Sequence, residues 1–202
     1  MEIKNEDLMK MDLVDRAASF CKIKHKGQLR KNGDDYATHP FLVARMLQSA
    51  GFDAAYQVAA YLHDTLEDTD TTEDELEELF GKDIAHSVVL LTRMEGMKED
   101  AYVDGVLTDH VAAVVKAADK VNNVCEITAL DGVGNIRTEK NIERAKKYIA
   151  KAQKYYKGLF CPFLDEAIDY AALRLQEETA QDVLDMILSG TQESYKTYKE
   201  IK

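Results

Sequence analysis

Apolar residues recur at steps of three and four along almost the whole of this 202-residue chain, and only two prolines interrupt it. In residues 6–24, for example, Leu8, Met11, Val14 and Cys21 follow this spacing. It is the period of a helix with one buried face, and no alternating segment of convincing strand length accompanies it. The fold is therefore predicted to be all-α.

Helix-end signals divide this pattern into segments. Thr72 and Glu75 form a capping box for a short acidic helix that ends at Gly81, and the His39-Pro40 pair opens another helix. Glycines mark a loop over residues 131–137, and a polar tail covers residues 191–202. The helix that His39 opens is predicted to run to residue 50. Further helices are predicted over residues 6–24, 53–66, 83–94, 108–128, 138–158 and 162–177, with a last one starting near Thr179.

The composition favours one compact bundle in a reducing compartment. Apolar residues make up 46% of the chain, which is enough to bury a sizeable core. No run of residues is long and apolar enough to span a membrane, and the first residues lack the apolar core of a signal peptide. Three widely separated cysteines fit neither a disulfide framework nor a thiolate zinc site. We expect a soluble, cytoplasmic protein that is not bound to a membrane.

The charge is strongly acidic but unevenly distributed. The net charge of −11 disfavours a nucleic-acid partner, because nucleic-acid binders present a basic surface. Residues 64–83 hold ten carboxylates and one lysine, whereas residues 22–31 are locally basic. Such a chain could bind a small polyanion at the basic loop without attracting DNA.

One segment concentrates groups that bind metals or move protons. His63 and Asp64 follow an apolar stretch, and Glu67 and Asp68 each come four residues later. On a continuous helix, each of these carboxylates stacks one turn beyond its partner. The sequence therefore predicts two layers: the metal ligands His63 and Asp64, and above them the carboxylates Glu67 and Asp68. A solvated acidic helix end is the alternative interpretation.

Further ligands lie elsewhere in the chain. His39 begins a helix, and Asp119 ends an otherwise apolar stripe, with Asn123 one turn later. Two imidazoles and two carboxylates suit Mn²⁺, Fe²⁺ or Zn²⁺ better than Ca²⁺. Such an ion lowers the pKa of its bound water, which makes a nucleophile available at neutral pH.

The order His39, then His63-Asp64, then Asp119 resembles the signature of HD-domain metal-dependent phosphohydrolases. Within that superfamily, the chain is most similar to the hydrolase domain of RelA/SpoT proteins and to stand-alone (p)ppGpp hydrolases. The resemblance rests on residues 25–31, 62–69 and 116–120, together with Tyr36 and Asn123. It implies a single-domain HD-type helical bundle over residues 1–160, and we expect residues 161–202 to form a helical extension packed on it.

The resemblance also implies a reaction and a set of roles. The reaction is removal of the 3′-pyrophosphate from (p)ppGpp, which gives GDP or GTP and pyrophosphate. The metal, Mn²⁺ in this family, would be bound by His39, His63, Asp64 and Asp119. Glu67 and Asp68 would orient and deprotonate the attacking water. The nucleotide would be bound by Arg30 on the guanine, Lys31 on phosphate and Asn123 near the ribose.

The sequence leaves the exact nucleotide open. Residues 94–100 are of mixed charge where relatives are often basic, and Asn122 stands where histidine or tyrosine is common. A hydrolase for another nucleotide, such as a 5′-nucleotidase or an NADPH phosphatase, is the alternative enzyme. A catalytically idle nucleotide-binding protein is the alternative outside enzymes, although the Glu67-Asp68 pair weighs against it. Whether the chain forms a homo-oligomer is left open.

Overall fold

Helices of 4 to 18 residues carry most of the described chain. The computed structural model describes residues 5–30, 33–127 and 139–176. Within them the pairing of strands is limited to one antiparallel bridge, between Leu29 and Asp35, so the all-α prediction is confirmed. The helices are α1 (Asn5–Leu8), α2 (Leu13–Lys24), α3 (Thr38–Ser49), α4 (Ala54–Leu62), α5 (Thr65–Asp68), α6 (Glu73–Phe80), α7 (Lys82–Leu91), α8 (Glu99–Val106), α9 (His110–Ile127), α10 (Glu139–Tyr155) and α11 (Pro162–Gln176).

Local capping explains where several helices begin and end. The Thr72 side chain accepts a hydrogen bond from the Glu75 backbone N–H at 3.2 Å, as expected for the N-cap of α6. Gly81 ends α6 with a φ of 87°, a left-handed conformation that favours glycine. The sharp turn at Gly81 leads directly into α7.

The structure differs from the predicted helices at three places. Asp12 accepts from two backbone N–H groups and starts α2, which divides the helix expected over residues 6–24. The helix expected over residues 53–66 breaks at His63-Asp64, between α4 and α5. Helix α8 was not predicted, and it forms because Tyr102, Val103 and Val106 are buried on one of its faces.

Two hydrophobic clusters meet at α4. One contains residues of α2, α4, α6 and α7, including Val58 and Leu62, and the other contains residues of α3, α4 and α8 to α11, including Ala59 and Ala60. Helices α3, α4 and α9 pack against one another pairwise. Their contact brings together the three chain segments that carry the predicted metal ligands.

The C-terminal described helices close the larger cluster. Helix α11 packs on α9 and α10 through Leu164, Ile168 and Ala171, which are buried. The predicted loop over residues 131–137, the helix from Thr179 and the tail over residues 191–202 lie outside the described residues. The division at residue 160 stays a prediction. Among the described helices, none has the length and apolar character required to cross a bilayer.

Candidate metal centre and active site

The four predicted ligands converge in the interior of the bundle. His39 comes from the first turn of α3, His63 and Asp64 from the break between α4 and α5, and Asp119 from α9. His39 Nε2 lies 3.1 Å from Asp119 Oδ1, and His63 Nε2 lies 3.2 Å from Asp64 Oδ2. The diagonal distances are 3.8 Å for His39–Asp64 and 3.9 Å for His63–Asp119. Ligand atoms of His39, His63 and Asp119 all lie within 4.8 Å of one another, which is close enough to share one ion.

The hydrogen bonding of His63 shows that this arrangement fits a metal. Its Nδ1 lies 2.8 Å from the Ala60 carbonyl, which can only accept, so the proton is on Nδ1 in the neutral ring. Its Nε2 is buried and makes no hydrogen bond to any described residue. A lone pair that faces the Asp64 carboxylate without a donor between them is costly, and a cation between them removes that cost.

The electrostatics of the cluster also favour a cation. Burial alone lowers the pKa of His63, but the Asp64 carboxylate outweighs it and raises that pKa to about 9. Burial alone would raise the pKa of Asp119, yet Lys116 and His39 hold it well below its usual range. Without a metal, the two carboxylates therefore draw a proton onto His63. A divalent ion would compete for the same position.

Asp119 is held on both oxygens by residues of its own helix. The Lys116 ammonium lies 3.1 Å from Oδ2, while the Asn123 amide donates to Oδ1, which also faces His39. Lys116 is buried, with its ammonium 5.3 Å from the ring centroid of Tyr102. Asn123, which was predicted to contact the nucleotide, is thus found bound to a predicted metal ligand.

His39 is oriented by Asn122, which stands where histidine or tyrosine is common in relatives. The Asn122 side-chain amide lies 2.9 Å from His39 Nδ1. An amide can present either its nitrogen or its oxygen to the ring. When the oxygen accepts from Nδ1–H, the Nε2 lone pair is free to face Asp119 and a metal.

The two predicted catalytic carboxylates have different surroundings. The Tyr36 hydroxyl lies 2.9 Å from Asp64 Oδ2 and 2.7 Å from Asp68 Oδ2, so Asp68 is next to a predicted ligand. Burial and the two carboxylates raise the pKa of Tyr36, which keeps its proton available as a donor. Glu67 instead accepts from the backbone N–H of Arg93 at 3.3 Å. Asp64 and Asp68 lie one helical turn apart, with the Asp68 N–H donating to the Asp64 carbonyl, although the expected continuous helix is broken at His63-Asp64.

The basic loop after α2 contacts the site through two side chains, Gln28 and Arg30. Gln28 donates to the Asp68 carbonyl at 2.7 Å and lies 2.9 Å from His25 Nδ1. Arg30 forms an ion pair with Glu126 near the end of α9, and its side chain is mostly buried. Arg30 is therefore held beside the helix that carries Asp119. Lys31 lies outside the described residues.

A second charged group lies where α7, α8 and α10 meet. Glu99 is buried, and both Arg93 and Lys151 approach its Oε2 at 2.8 Å. The Tyr156 hydroxyl donates to its other oxygen at 2.5 Å. Nearby, burial and the charge of Lys116 lower the pKa of Lys120 to about 8.

The sequence did not predict the contacts of several of these residues. Lys116 and Asn122 are three residues before and after Asp119, so helical spacing around that ligand could have identified them. Tyr36 is three residues before His39, but its bonds to Asp64 and Asp68 cross between helices. No local pattern predicts the Glu99 contacts.

Comparison with known proteins gives the following similarities. Residues 17–104 match the family described as HD domain. The guanosine-3′,5′-bis(diphosphate) 3′-pyrophosphohydrolase MESH1 of Danio rerio is 35% identical over 150 residues, which cover 70% of this chain and 81% of that protein. The Aquifex aeolicus protein named guanosine-3′,5′-bis(diphosphate) 3′-pyrophosphohydrolase is 39% identical over 119 residues, covering 55% of this chain and 17% of its own length. A probable GTP pyrophosphokinase of Mycobacterium leprae is 37% identical over 123 residues, 56% of this chain and 16% of that protein.

The bacterial relatives are therefore much longer, and this chain spans about a sixth of their length. A solved structure described as "A metazoan ortholog of SpoT hydrolyzes ppGpp and plays a role in starvation responses" has a TM-score of 0.60 and 23% identity to this chain. The likeness covers 80% of this chain and 94% of that one. At this identity, it establishes a shared all-α fold.

Proposed function

This chain belongs to the HD-domain family of (p)ppGpp 3′-pyrophosphohydrolases, and we propose that it removes the 3′-pyrophosphate from ppGpp and pppGpp. The observation that carries the proposal is the convergence of two imidazoles and two carboxylates around the unpaired Nε2 of His63, with Asp68 alongside. The similarity to the Danio rerio pyrophosphohydrolase supports the choice of substrate.

The family uses a divalent metal, and His39, His63, Asp64 and Asp119 would hold it here. When bound, a divalent ion acts as a Lewis acid on the phosphoryl group and lowers the pKa of water. We propose Mn²⁺ because the resemblance to the family implies it; the mixed set of imidazole and carboxylate ligands suits Mn²⁺ as well as Fe²⁺ and Zn²⁺. Asn122 would keep His39 in position, and Lys116 would keep Asp119 in position.

Hydrolysis joins a water oxygen to the phosphorus that carries the ribose 3′ oxygen, and breaks the bond between that phosphorus and the 3′ oxygen. The products are a 3′-hydroxyl and free pyrophosphate, so ppGpp gives GDP and pppGpp gives GTP. We propose that Asp68 and Glu67 hold the attacking water and take one of its protons, while the 3′ oxygen gains one. Tyr36 and the Arg93 backbone N–H would keep the two carboxylates in place.

Substrate binding is proposed for residues at the edge of the cluster. Arg30 would pack its planar guanidinium on the guanine, and Lys31 would act as a point charge on phosphate. The amide of Asn123 already donates to Asp119, so a contact with the ribose would use its second N–H or its oxygen.

A nucleotide panel tests the proposed function. The purified, metal-supplemented chain is incubated with ppGpp, pppGpp, NADPH and nucleoside 5′-monophosphates, and pyrophosphate and orthophosphate are measured separately. We expect release of pyrophosphate from the first two substrates, with GDP and GTP as the other products. The Asp64→Ala variant, prepared in the same way, controls for contaminating hydrolases. Orthophosphate release from NADPH or a 5′-monophosphate alone would instead identify another HD phosphohydrolase, and no release at all would favour the idle binding protein.

The domain organisation and location are proposals of the same kind. We propose that residues 1–160 form the hydrolase domain and that residues 161–202 extend it, since α11 packs on α9 and α10. A hydrolase of a free guanine nucleotide would act in the cytoplasm.

A further inference from the structure

Two carboxylates, Asp119 and Glu99, and the cationic side chains around them form one charged group. Lys116 is 3.1 Å from an Asp119 oxygen, and Arg93 and Lys151 are each 2.8 Å from Glu99. Both carboxylates of the group are therefore already engaged by a lysine or an arginine. One further cation lies beside these ion pairs.

Lys120 is that further cation. Its ammonium lies 4.7 Å from the ring centroid of Tyr156 and 5.5 Å from that of Tyr148, whose hydroxyl is 3.5 Å away. Within the part of the chain that the structure describes, no carboxylate comes within 4.0 Å of it. An ammonium carries three N–H donors, and the aromatic rings and one distant hydroxyl leave most of them without a strong acceptor.

The position of Lys120 on α9 places it next to the proposed reaction. Residues 116, 119, 120 and 123 follow the spacing of one helix face, and this face carries Asp119 and the two groups that hold it. Lys120 is only partly buried, so part of its side chain is open to solvent. A partly enclosed, unpaired ammonium beside metal ligands is suited to bind an anion.

We propose that Lys120, seated between Tyr148 and Tyr156, binds the pyrophosphate group that is removed from the nucleotide. The identity of the group rests on the proposed function, whereas the anion site rests on the contacts of Lys120 itself. Phosphate oxygens would supply the hydrogen-bond acceptors that the rings of Tyr148 and Tyr156 do not provide. Lysine suits this task because its ammonium is a compact point charge that can turn toward several oxygens.

The opposing explanation is that Lys120 only packs on the tyrosine rings, as a cation–π contact. The two explanations differ in what the replacement Lys120→Met does. A packing lysine contributes to stability, so its loss lowers the Tm and leaves anion binding unchanged. An anion-binding lysine carries a charge that the free protein must desolvate, so methionine keeps or raises the Tm while anion binding weakens.

Calorimetric titration of the metal-loaded chain with inorganic pyrophosphate, at a constant free metal concentration, tests the proposal. We expect Lys120→Met to weaken pyrophosphate binding by about 10- to 100-fold, the range for a lost charge-assisted hydrogen bond. The matched control is Lys147→Met on α10, which removes an equal charge from a side chain that is 76% exposed and should leave binding unchanged. Lys120→Arg restores the positive charge and should recover most of the affinity. Lys120→Gln replaces the methionine variant if circular dichroism shows that the latter does not fold.

Unchanged pyrophosphate affinity in Lys120→Met, with metal content equal to that of the wild type, would overturn the proposal. So would a wild-type chain that does not bind pyrophosphate. The nucleotide panel separates this result from the proposed function. If the chain releases pyrophosphate from ppGpp but Lys120→Met binds it normally, only the role of Lys120 is wrong. If the chain does not hydrolyse ppGpp but Lys120→Met still weakens pyrophosphate binding, the anion site stands without that substrate.

Discussion

Two buried charged groups in this bundle have opposite balances of donors and acceptors. In the Glu99 group, one carboxylate is met by Arg93, Lys151 and the Tyr156 hydroxyl, so three donors converge on two oxygens. These contacts join the segment after α7, the start of α8 and the end of α10. Oε2 of Glu99 meets Arg93 and Lys151 as ion pairs rather than in hydrogen-bond geometry, and these two cations balance its charge within the group. A structural role accounts for these contacts.

The metal cluster has the reverse balance. The Nε2 of His63 has no donor, and it faces an oxygen of Asp64 at 3.2 Å. Lys116 and Tyr36 donate to the carboxylates of the cluster, and the Asn122 amide contacts Nδ1 of His39. Burial and charge alone thus do not identify a functional site. The metal cluster differs in what its unpaired atom faces: the imidazole nitrogen of His63 faces a carboxylate of another predicted ligand, whereas the unpaired oxygen of Glu99 faces two cations.

The largest effect is expected when the metal cluster loses a ligand. Asp64→Ala should reduce the bound metal from about one equivalent per chain to a trace, and should reduce turnover by more than about 10²-fold, since even supporting residues around a metal contribute up to that much. Metal content is measured by mass spectrometry, and circular dichroism should show that the helices remain. Full metal retention in both Asp64→Ala and His63→Ala would refute the ligand assignment.

Glu99→Gln is the matched control for that experiment. It also alters a buried carboxylate, but it should leave the metal content unchanged because Glu99 does not face the cluster centre. Loss of metal from Glu99→Gln would show that the two groups are one functional unit, and the contrast between them would fail.

The next effect separates binding of the metal from chemistry. Glu67→Gln and Asp68→Asn should keep the metal and lose roughly 10²-fold or more in turnover, the usual range for general acid–base groups. Both metal content and kcat are measured on the same preparations. If either variant lost its metal, the altered carboxylate would be a metal ligand, and the division between metal-binding and catalytic carboxylates would be wrong.

The contrast also indicates how far the sequence could predict the molecule. The period of the apolar residues was sufficient for the all-α class, because it depends on neighbours three and four apart. The set of His39, His63-Asp64 and Asp119 followed from ligand chemistry and from resemblance to a family. The break at His63-Asp64 was not predicted, since the alanine-rich run before it favours a continuous helix.

The groups that complete each cluster were much harder to predict. Glu99 and Tyr156 are 57 positions apart, and Tyr36 and Asp68 are 32 apart. Such pairs arise from how the helices pack, and no local spacing encodes them. Residues that hold a ligand from the same helix, such as Lys116, are the exception.

Arg30 forms an ion pair as the residues of the Glu99 group do, but it lies beside the proposed substrate site. If its pairing with Glu126 were only structural, Arg30→Ala would affect all substrates alike. We expect it instead to raise the KM for ppGpp by about 10-fold, the lower range for loss of a stacking contact with a base. The effect on p-nitrophenyl phosphate, which has no purine, should be much smaller, with metal content unchanged. Equal losses on both substrates, or none, would remove the guanine assignment.

The smallest expected effect concerns stability in the Glu99 group and its dependence on pH. Burial alone raises the pKa of Glu99, but the Lys151 ammonium and the Tyr156 hydroxyl outweigh it and lower the pKa below the ordinary value of 4.5. A carboxyl whose pKa is lower in the folded state stabilises the fold above the unfolded pKa and loses that contribution as pH falls through the folded value. Glu99→Gln should therefore lower the free energy of unfolding by about 1–3 kcal/mol at pH 7. The difference in Tm between wild type and variant should shrink below about pH 4.5, as thermal unfolding across a pH series would show. A difference that stays constant down to low pH would mean that packing, rather than charge, accounts for the contribution of Glu99.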